Sequence, residues 1–456
     1  MIHEIIKQKR NDVARREQES SLASFVHLLQ PSQRNFEAAL CFETTGFILE
    51  CKKASPSQGL IRPNFDVVEV AKIYAPFASC ISVITDEPFF EGHLDFLTKV
   101  SKVANCPVLC KDFVVSPYQV YEARRYGADA ILLMLSVLED SVFLQCLEAA
   151  KKFNMGVLAE VHNEAELQRA LRLGVKIIGI NNRDFETLKV DLNVSRRLIP
   201  QIPKEKIIVL ESGIFTHGEV LEFKESVDAF LVGTSLMQKP RLDLAVRELI
   251  FGRVKVCGLT SVTDAQMAYD MGASFGGMIF AKESPRYIDE EMAFEISTQV
   301  ALQWVGVFVN ETIEHVCLLA KKLKLFAVQL HGEEDASYIK NLKVFLPKEI
   351  EIWKAVRVQS TIPFIKELGS HRLLLDAYQP NARGGTGTAF DWSLLKNYPE
   401  REKIILSGGL SLENIEQAAK WQTWGLDVNS KVESQPGKKS LEKLKELFEA
   451  ARGKKR

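Results

Sequence analysis

Apolar residues along the chain come in short runs, and polar stretches with apolar positions at helical spacing separate them. The first run opens at Phe47 and is stopped by the turn formers Ser55-Pro56-Ser57-Gln58-Gly59. Further runs lie at 81–84, 108–110, 130–135, 157–159, 177–180, 207–210 and 229–232. Helical patterns such as 164–173 and 219–223 stand between them. Eight such strand–helix units predict a closed parallel barrel. The alternation then restarts at 254–257, 277–280, 305–309, 327–330, 352–355, 373–376, 404–407 and 426–428. The predicted fold is α/β, two consecutive (βα)8 TIM barrels.

Before the first strand, Ile5, Ile6, Val13, Leu22, Phe25, Val26, Leu29, Phe36, Ala39 and Leu40 fall at helical spacing. They predict an N-terminal helical extension of the first barrel, which either plugs the barrel floor or lies near its mouth. A helix over 244–251 ends at Gly252, and Arg253 opens the next strand. The expected domains are therefore 1–252 and 253–456.

Size and composition agree with this division. A chain of 456 residues exceeds one ordinary core, and 46% hydrophobic with 26% charged residues is the profile of a globular protein. A formal net charge of -1 gives no reason to expect nucleic acid as a partner. No apolar run approaches the ~18 residues that span a bilayer, so no membrane is expected. The opening Met-Ile-His-Glu-Ile-Ile-Lys lacks the apolar core of a signal peptide, so a cytoplasmic location is expected. The 8 cysteines form no Cys-x-x-Cys pair and no cluster with metal-ligand spacing. Neither a metal nor a cofactor is expected, and the closing Lys454-Lys455-Arg456 reads as a solvated tail.

Barrel enzymes carry their chemistry at the C-terminal strand ends. In the first barrel these ends deliver Glu50 and Lys52, Lys111, Glu160, Asn181 with Arg183, and Glu211. Alternation along a strand puts Glu50 and Lys52 on the inward face and Cys51, like Cys110, on the outward one. Opposed charges facing into a barrel form either a structural ion pair or a site; unpaired, they would cost on the order of 3–5 kcal/mol. The last two strands end in Ser212-Gly213 and Gly233-Thr234-Ser235, whose backbone N–H groups suit an anion such as phosphate. The second barrel's ends carry Cys257, Asn310, Gln329 with His331, Lys354, Asp376, Ser407-Gly408-Gly409 and Asp427.

Glu50-Cys51-Lys52-Lys53-Ala54-Ser55-Pro56-Ser57 closely resembles the first barrel strand of indole-3-glycerol phosphate synthases. In the second half Lys-Val-Cys-Gly-Leu-Thr, Ser-Pro-Arg-Tyr-Ile, Gly-Val-Phe-Val-Asn, Val-Gln-Leu-His-Gly, Gly-Gly-Thr-Gly, Ser-Gly-Gly-Leu and Pro-Gly-Lys-Lys are similar to phosphoribosylanthranilate isomerase motifs, in that family's order. The whole resembles the bacterial fusion of these two tryptophan-pathway enzymes. The resemblance implies phosphorylated anthranilate substrates and a monomer is expected.

For the first barrel it implies closure of 1-(2-carboxyphenylamino)-1-deoxyribulose 5-phosphate to indole-3-glycerol phosphate, with loss of carbon dioxide and water. Lys111 is the expected acid, with a pKa expected to fall among neighbouring cations. Glu160 is its expected partner in dehydration. Lys52 either holds the substrate carboxylate or donates a proton to the leaving hydroxyl. Glu50, Asn181 and Glu211 orient and stabilise charge, and Arg183 suits a carboxylate. Phe89, Phe90 and Phe113 are either walls of the anthranilate pocket or core.

For the second barrel the resemblance implies an Amadori rearrangement of N-(5-phosphoribosyl)anthranilate. Cys257 is the expected base, in surroundings expected to favour thiolate, and Asp376 the expected acid. Arg286, Gln329, His331 and Asp427 are expected at the substrate, and Gly408, Gly409, Asn429 and Ser430 at its phosphate. Ser430-Lys431-Val432-Glu433 stands where the family reads Ser-Gly-Val-Glu, so a positive φ there would strain Lys431. Gly384-Gly385-Thr386-Gly387 reads as a lid loop. Three rivals remain: one live barrel beside a degenerate one, a twin-barrel sugar-phosphate isomerase using two aspartates, and a phosphosugar-binding regulatory module.

Overall fold

The computed structural model describes residues 2–377 and 390–453. The glycine-rich loop at 384–387 and the basic tail lie outside these residues. Two compact units divide the chain, 2–246 and 247–453. Among the described residues no helix is long and apolar enough to cross a membrane.

The first unit is a closed barrel of eight parallel strands. They are Gly46–Cys51, Cys80–Ile84, Val108–Lys111, Ala130–Met134, Gly156–Val161, Ile177–Asn181, Ile207–Glu211 and Ala229–Val232. Each strand pairs with its sequence neighbours, and the eighth returns to the first with Gly46 opposite Ala229. The inward set includes Ile48, Leu109, Leu158, Ile177 and Val209, which fill the barrel below its polar mouth.

The N-terminal extension reaches both ends of this barrel, so neither expected position alone describes it. Its first helix, Ile2–Glu19, sends Ile5 into the mouth cavity. Lys9 of the same helix is buried between Asp86 and Asp112, 2.7 and 2.6 Å away, in the loops after the second and third strands. A later helix, Phe36–Leu40, starts at Asn35, whose side chain accepts the Ala38 N–H at 2.9 Å. Phe36 lies against Gly156 at the opening of the fifth strand and joins Leu40 in the barrel core. The extension therefore caps the mouth with one helix and plugs the floor with another.

The second unit is a second closed, all-parallel barrel of eight strands. They are Val254–Val256, Phe275–Ile279, Gln303–Phe308, Ala327–Leu330, Glu351–Val358, Arg372–Ala377, Ile404–Leu406 and Gly425–Val428. Its floor is filled by Phe275, Trp353, Phe326 and Trp424, with the two indoles 5.3 Å apart. The second strand begins two residues before the apolar run, because it also includes Phe275 and Gly276. A Cβ at Gly277 would stand 2.7 Å from Cys257 Sγ, so glycine is needed there for space. The fifth strand runs past the expected 355 to Val358, paired with Ala377 on the sixth.

Candidate active sites in the two barrel mouths

In the first barrel, strand alternation brings Glu50, Lys111, Glu160, Asn181 and Glu211 to one cavity at the C-terminal strand ends. Lys52, Arg183, Ser212, Gly213, Gly233, Thr234 and Ser235 line the same cavity. Lys111 Nζ stands 3.3 Å from both Glu160 Oε2 and Glu211 Oε2. Lys52 Nζ is 2.6 Å from Glu50 Oε1. Room for these carboxylates comes from missing side chains: a Cβ on Gly233 would fall on Glu50, and one on Gly179 on Glu211.

The electrostatics correct one expectation. Lys111 does not have a lowered pKa. Burial alone would lower it, but Glu211, Glu160 and Glu50 hold it well above its ordinary value. The expectation set Lys111 among cations; the barrel instead surrounds it with carboxylates from its first, fifth and seventh strands. The two carboxylates on Lys111 then divide. Glu160 is buried, yet Lys111, His162 and Asn181 keep it below the usual carboxylate range. Glu211, buried and repelled by Glu160, is pushed up to about 8 and can carry a proton at neutral pH.

His162 escaped the sequence reading, although it lies two residues past Glu160. Its Nε2 is 3.3 Å from Glu160 Oε1 and its Nδ1 3.1 Å from Glu166 Oε2. Glu166 is placed by the helix Glu164–Arg172, where Asn163 accepts the Glu166 N–H at 2.9 Å. Burial works against a charged imidazole, but Glu160 and Glu166 raise its pKa to about 10. Of the three phenylalanines singled out, Phe90 and Phe113 line the cavity with ring centroids 6.0 Å apart. Phe89 is not among the lining residues and packs on the core. Phe185, four residues past the end of the sixth strand, supplies a further wall, its ring centroid 6.5 Å from that of Phe113.

At the seventh strand end Ser212 and Gly213 both take positive φ, 62° and 90°. Both residues line the cavity, and a left-handed turn is one way a backbone gathers N–H groups for an anion. Ser235 Oγ donates to Ile214 O at 2.8 Å, tying the two candidate phosphate loops together.

The second mouth gathers Cys257, Arg286, Gln329, His331, Asp376, Gly408, Gly409, Asp427, Asn429 and Ser430 around one cavity. Asp376 is pushed up to about 6, by burial against the pull of the Ala377 N–H. Cys257 corrects a second expectation: burial raises its thiol pKa, and Lys255 only partly offsets it. His331 is depressed to about 4 by burial and nearby cations, so it is neutral, 3.1 Å from Gln329 Nε2 and 3.7 Å from Asp376. Arg286 is held by Glu433 through Nε–Oε1 and Nη2–Oε2 contacts of 2.9 and 2.8 Å. Asn310, just past the third strand, and Lys354, in the middle of the fifth, do not line the cavity. Lys354 Nζ is taken by Gly332 O and Glu334, 2.7 and 3.0 Å away.

Gly408 and Gly409 have φ of 78° and 77°, and a Cβ at Gly408 would meet Ala377 N at 2.6 Å. Lys431 sits in a short 3-10 turn, Ser430–Val432, and is absent from the positive-φ residues. The departure from glycine there costs no left-handed strain, and the Lys431 side chain lines the cavity.

Two parallel barrels, each presenting titratable side chains and glycine-containing turns at its mouth, define a two-site barrel enzyme. Residues 2–249 match the indole-3-glycerol phosphate synthase family, and residues 254–450 the N-(5'phosphoribosyl)anthranilate isomerase family. The chain is 49% identical to the tryptophan biosynthesis protein TrpCF of Vibrio cholerae, over 98% of this chain and 95% of that protein. It is 46% identical to TrpCF of Salmonella typhi, over 99% of each. The crystal structure of phosphoribosyl anthranilate isomerase from Thermotoga maritima is 36% identical, covering 44% of this chain and 98% of that one, with a TM-score of 0.38. The chain belongs to the TrpCF family of bifunctional tryptophan-biosynthesis enzymes, with the synthase domain first and the isomerase domain second.

Proposed function

We propose that the two sites act in series. In the second barrel, residues 253–456, Asp376 protonates the ribose ring oxygen of N-(5-phosphoribosyl)anthranilate and the ring opens to an iminium. Cys257 then removes the proton on C2, and the resulting enolamine rearranges to 1-(2-carboxyphenylamino)-1-deoxyribulose 5-phosphate. A carboxyl lifted to about 6 by burial supports the acid role. Asp427 accepts from the anthranilate nitrogen, Arg286 and the His331–Gln329 pair shape the pocket, and Gly408, Gly409, Asn429 and Ser430 hold the phosphate.

In the first barrel, residues 1–252, Lys111 protonates the ketone oxygen as the anthranilate ring carbon attacks it. Loss of carbon dioxide restores the ring electrons, and the new hydroxyl leaves as water with a proton relayed through Glu160. The ammonium held 3.3 Å from two buried carboxylates carries this reading, since it is a positioned acid beside a carboxylate able to exchange its proton. Lys52, anchored by Glu50, and Arg183 receive the substrate carboxylate between Phe90, Phe113 and Phe185. Asn181 orients Glu160, Glu211 stores a proton, and Ser212, Gly213, Gly233, Thr234 and Ser235 hold the phosphate.

Every group named in each site comes from its own barrel, which supports a monomer as the working unit. All eight cysteines are free thiols, which fits a reducing cytoplasm. The test is to supply N-(5-phosphoribosyl)anthranilate alone and follow both products. The intermediate should rise first and indole-3-glycerol phosphate should follow; no second product would refute the serial reading.

A further inference from the structure

Lys255 lies two residues before Cys257, on the same inward face of the first strand of the second barrel. It is 2% exposed, deeper than the substrate cavity, whose lining does not include it. The register sets Lys255 directly opposite Asp427 on the eighth strand. Its Nζ stands 2.8 Å from Asp427 Oδ1, while Ser407 Oγ donates to Asp427 Oδ2 at 3.1 Å. The charge of Lys255 also acts on Cys257 and favours the thiolate. On the other side, a Cβ at Gly277 would lie 2.7 Å from Cys257 Sγ and 2.9 Å from Lys255 Cε. The second strand thus leaves space for these two side chains to lie together.

We propose that Lys255 is the positioning residue of the isomerase: its ammonium bridges Cys257 and Asp427, holds the thiolate where it accepts the C2 proton, and fixes Asp427 toward the substrate nitrogen. The inference rests on Cys257 being the base. The step balances without any added reagent. The thiolate takes the proton, the C–H electrons become the C1=C2 bond, and the iminium nitrogen takes the displaced pair.

Other charges face the thiol as well. Lys439, from the hairpin after the eighth strand, favours thiolate and Asp427 opposes it. Arg286, after the second strand, is engaged by Glu433, and His331, after the fourth, is neutral. Asp376 faces the cavity from the sixth strand. Of the cations facing the thiol, Lys255 pulls most strongly toward thiolate against the effect of burial.

Because Asp376 titrates near 6 and the thiol above its ordinary value, the active form has the acid protonated and the thiol ionised. Isomerase kcat/KM should then show a plateau between an acid limb from Asp376 and an alkaline limb from Cys257. In Lys255→Met the alkaline limb should move up by at least about one pH unit and the plateau should fall about tenfold per unit moved. The pH midpoint for iodoacetamide labelling of Cys257, mapped by mass, should move equally, and Lys255→Arg should restore both. Loss of plateau with both midpoints unmoved would show a merely structural lysine and overturn the proposal. If Lys255→Met does not fold, as judged by tryptophan emission, which reports the second barrel, and by circular dichroism, Lys255→Met/Asp427→Asn is compared with Asp427→Asn alone. That comparison has the same two outcomes. Separately, a Cys257→Ser protein with an unchanged isomerase profile would remove the base assignment itself, whatever the labelling midpoints show.

Discussion

At the floor of the first barrel the plug is borrowed from the N-terminal extension, as Phe36 and Leu40; at the floor of the second, the barrel supplies its own, as Phe275, Trp353 and Trp424. The mouths differ as much. The proposed acid of the first is an ammonium kept charged by three buried carboxylates. The proposed acid of the second is a carboxyl lifted to about 6 by burial. The same strand order therefore produces a proton donor by two opposite electrostatic routes, attraction of the charged form and expulsion of it.

The comparison breaks most sharply by removing each donor. Lys111→Ala should cost the synthase about a thousandfold and spare the isomerase, and Asp376→Asn should do the reverse. Assaying both reactions on each purified variant decides it; a folded variant that loses both reactions would mean the donors do not belong to separate sites.

The floors give the next largest effect. Phe36 and Trp353 are 1% and 0% exposed, so replacing either by alanine should cost about 3–5 kcal/mol. Phe36→Ala should lower the denaturation midpoint of synthase activity alone, and Trp353→Ala that of isomerase activity alone. If Phe36→Ala leaves the synthase midpoint in place, the extension is not the plug.

The donors should also separate by pH. Below about 6 Asp376 is already protonated, so further acid only removes thiolate, and isomerase kcat/KM should fall about tenfold per unit. Glu160 is held below the usual carboxylate range and Lys111 above the usual ammonium range, so the synthase pair keeps its charges across that window. The ratio of synthase to isomerase kcat/KM should thus rise from pH 6 to pH 5. A constant ratio would contradict the desolvation account of Asp376.

The smallest effect expected is at Lys9. Asp86 and Asp112 line the first cavity beside Phe90 and Phe113, and Lys9 neutralises both. Lys9→Met should raise the synthase KM for its carboxylated substrate several-fold, on the order of 1 kcal/mol, with kcat little changed. Asp86→Asn in the same protein should recover part of the loss. A kcat effect without a KM effect would assign Lys9 elsewhere.

Much of this was legible in the chain because inward and outward faces follow from counting along a strand. Glu50, Lys111, Glu160 and Glu211 could be named as convergent for that reason. The same count would have found Lys255 from Cys257 and His162 from Glu160, had buried cations been sought beneath the site as well as at its rim. Which of the convergent charges touch Lys111 was not legible: the count also brings Lys52 and Arg183 to the mouth and gives no distances, so the balance between cations and carboxylates stayed open. Phe185 carries no signal either: it belongs to a loop, where no period fixes direction. Phe89 and Phe90 show the limit of composition, because adjacent identical residues divide between core and cavity.

The aromatic floor of the second barrel has an optical consequence. All 5 tryptophans of the chain, Trp304, Trp353, Trp392, Trp421 and Trp424, lie beyond residue 247, and the first barrel has none. Trp353 and Trp424 are in edge-on contact, and the Arg372 guanidinium lies 3.7 Å from the Trp424 ring centre. Tryptophan emission therefore comes from one barrel only, whereas far-ultraviolet dichroism sums over both, so the natural sequence distinguishes their unfolding without any attached dye.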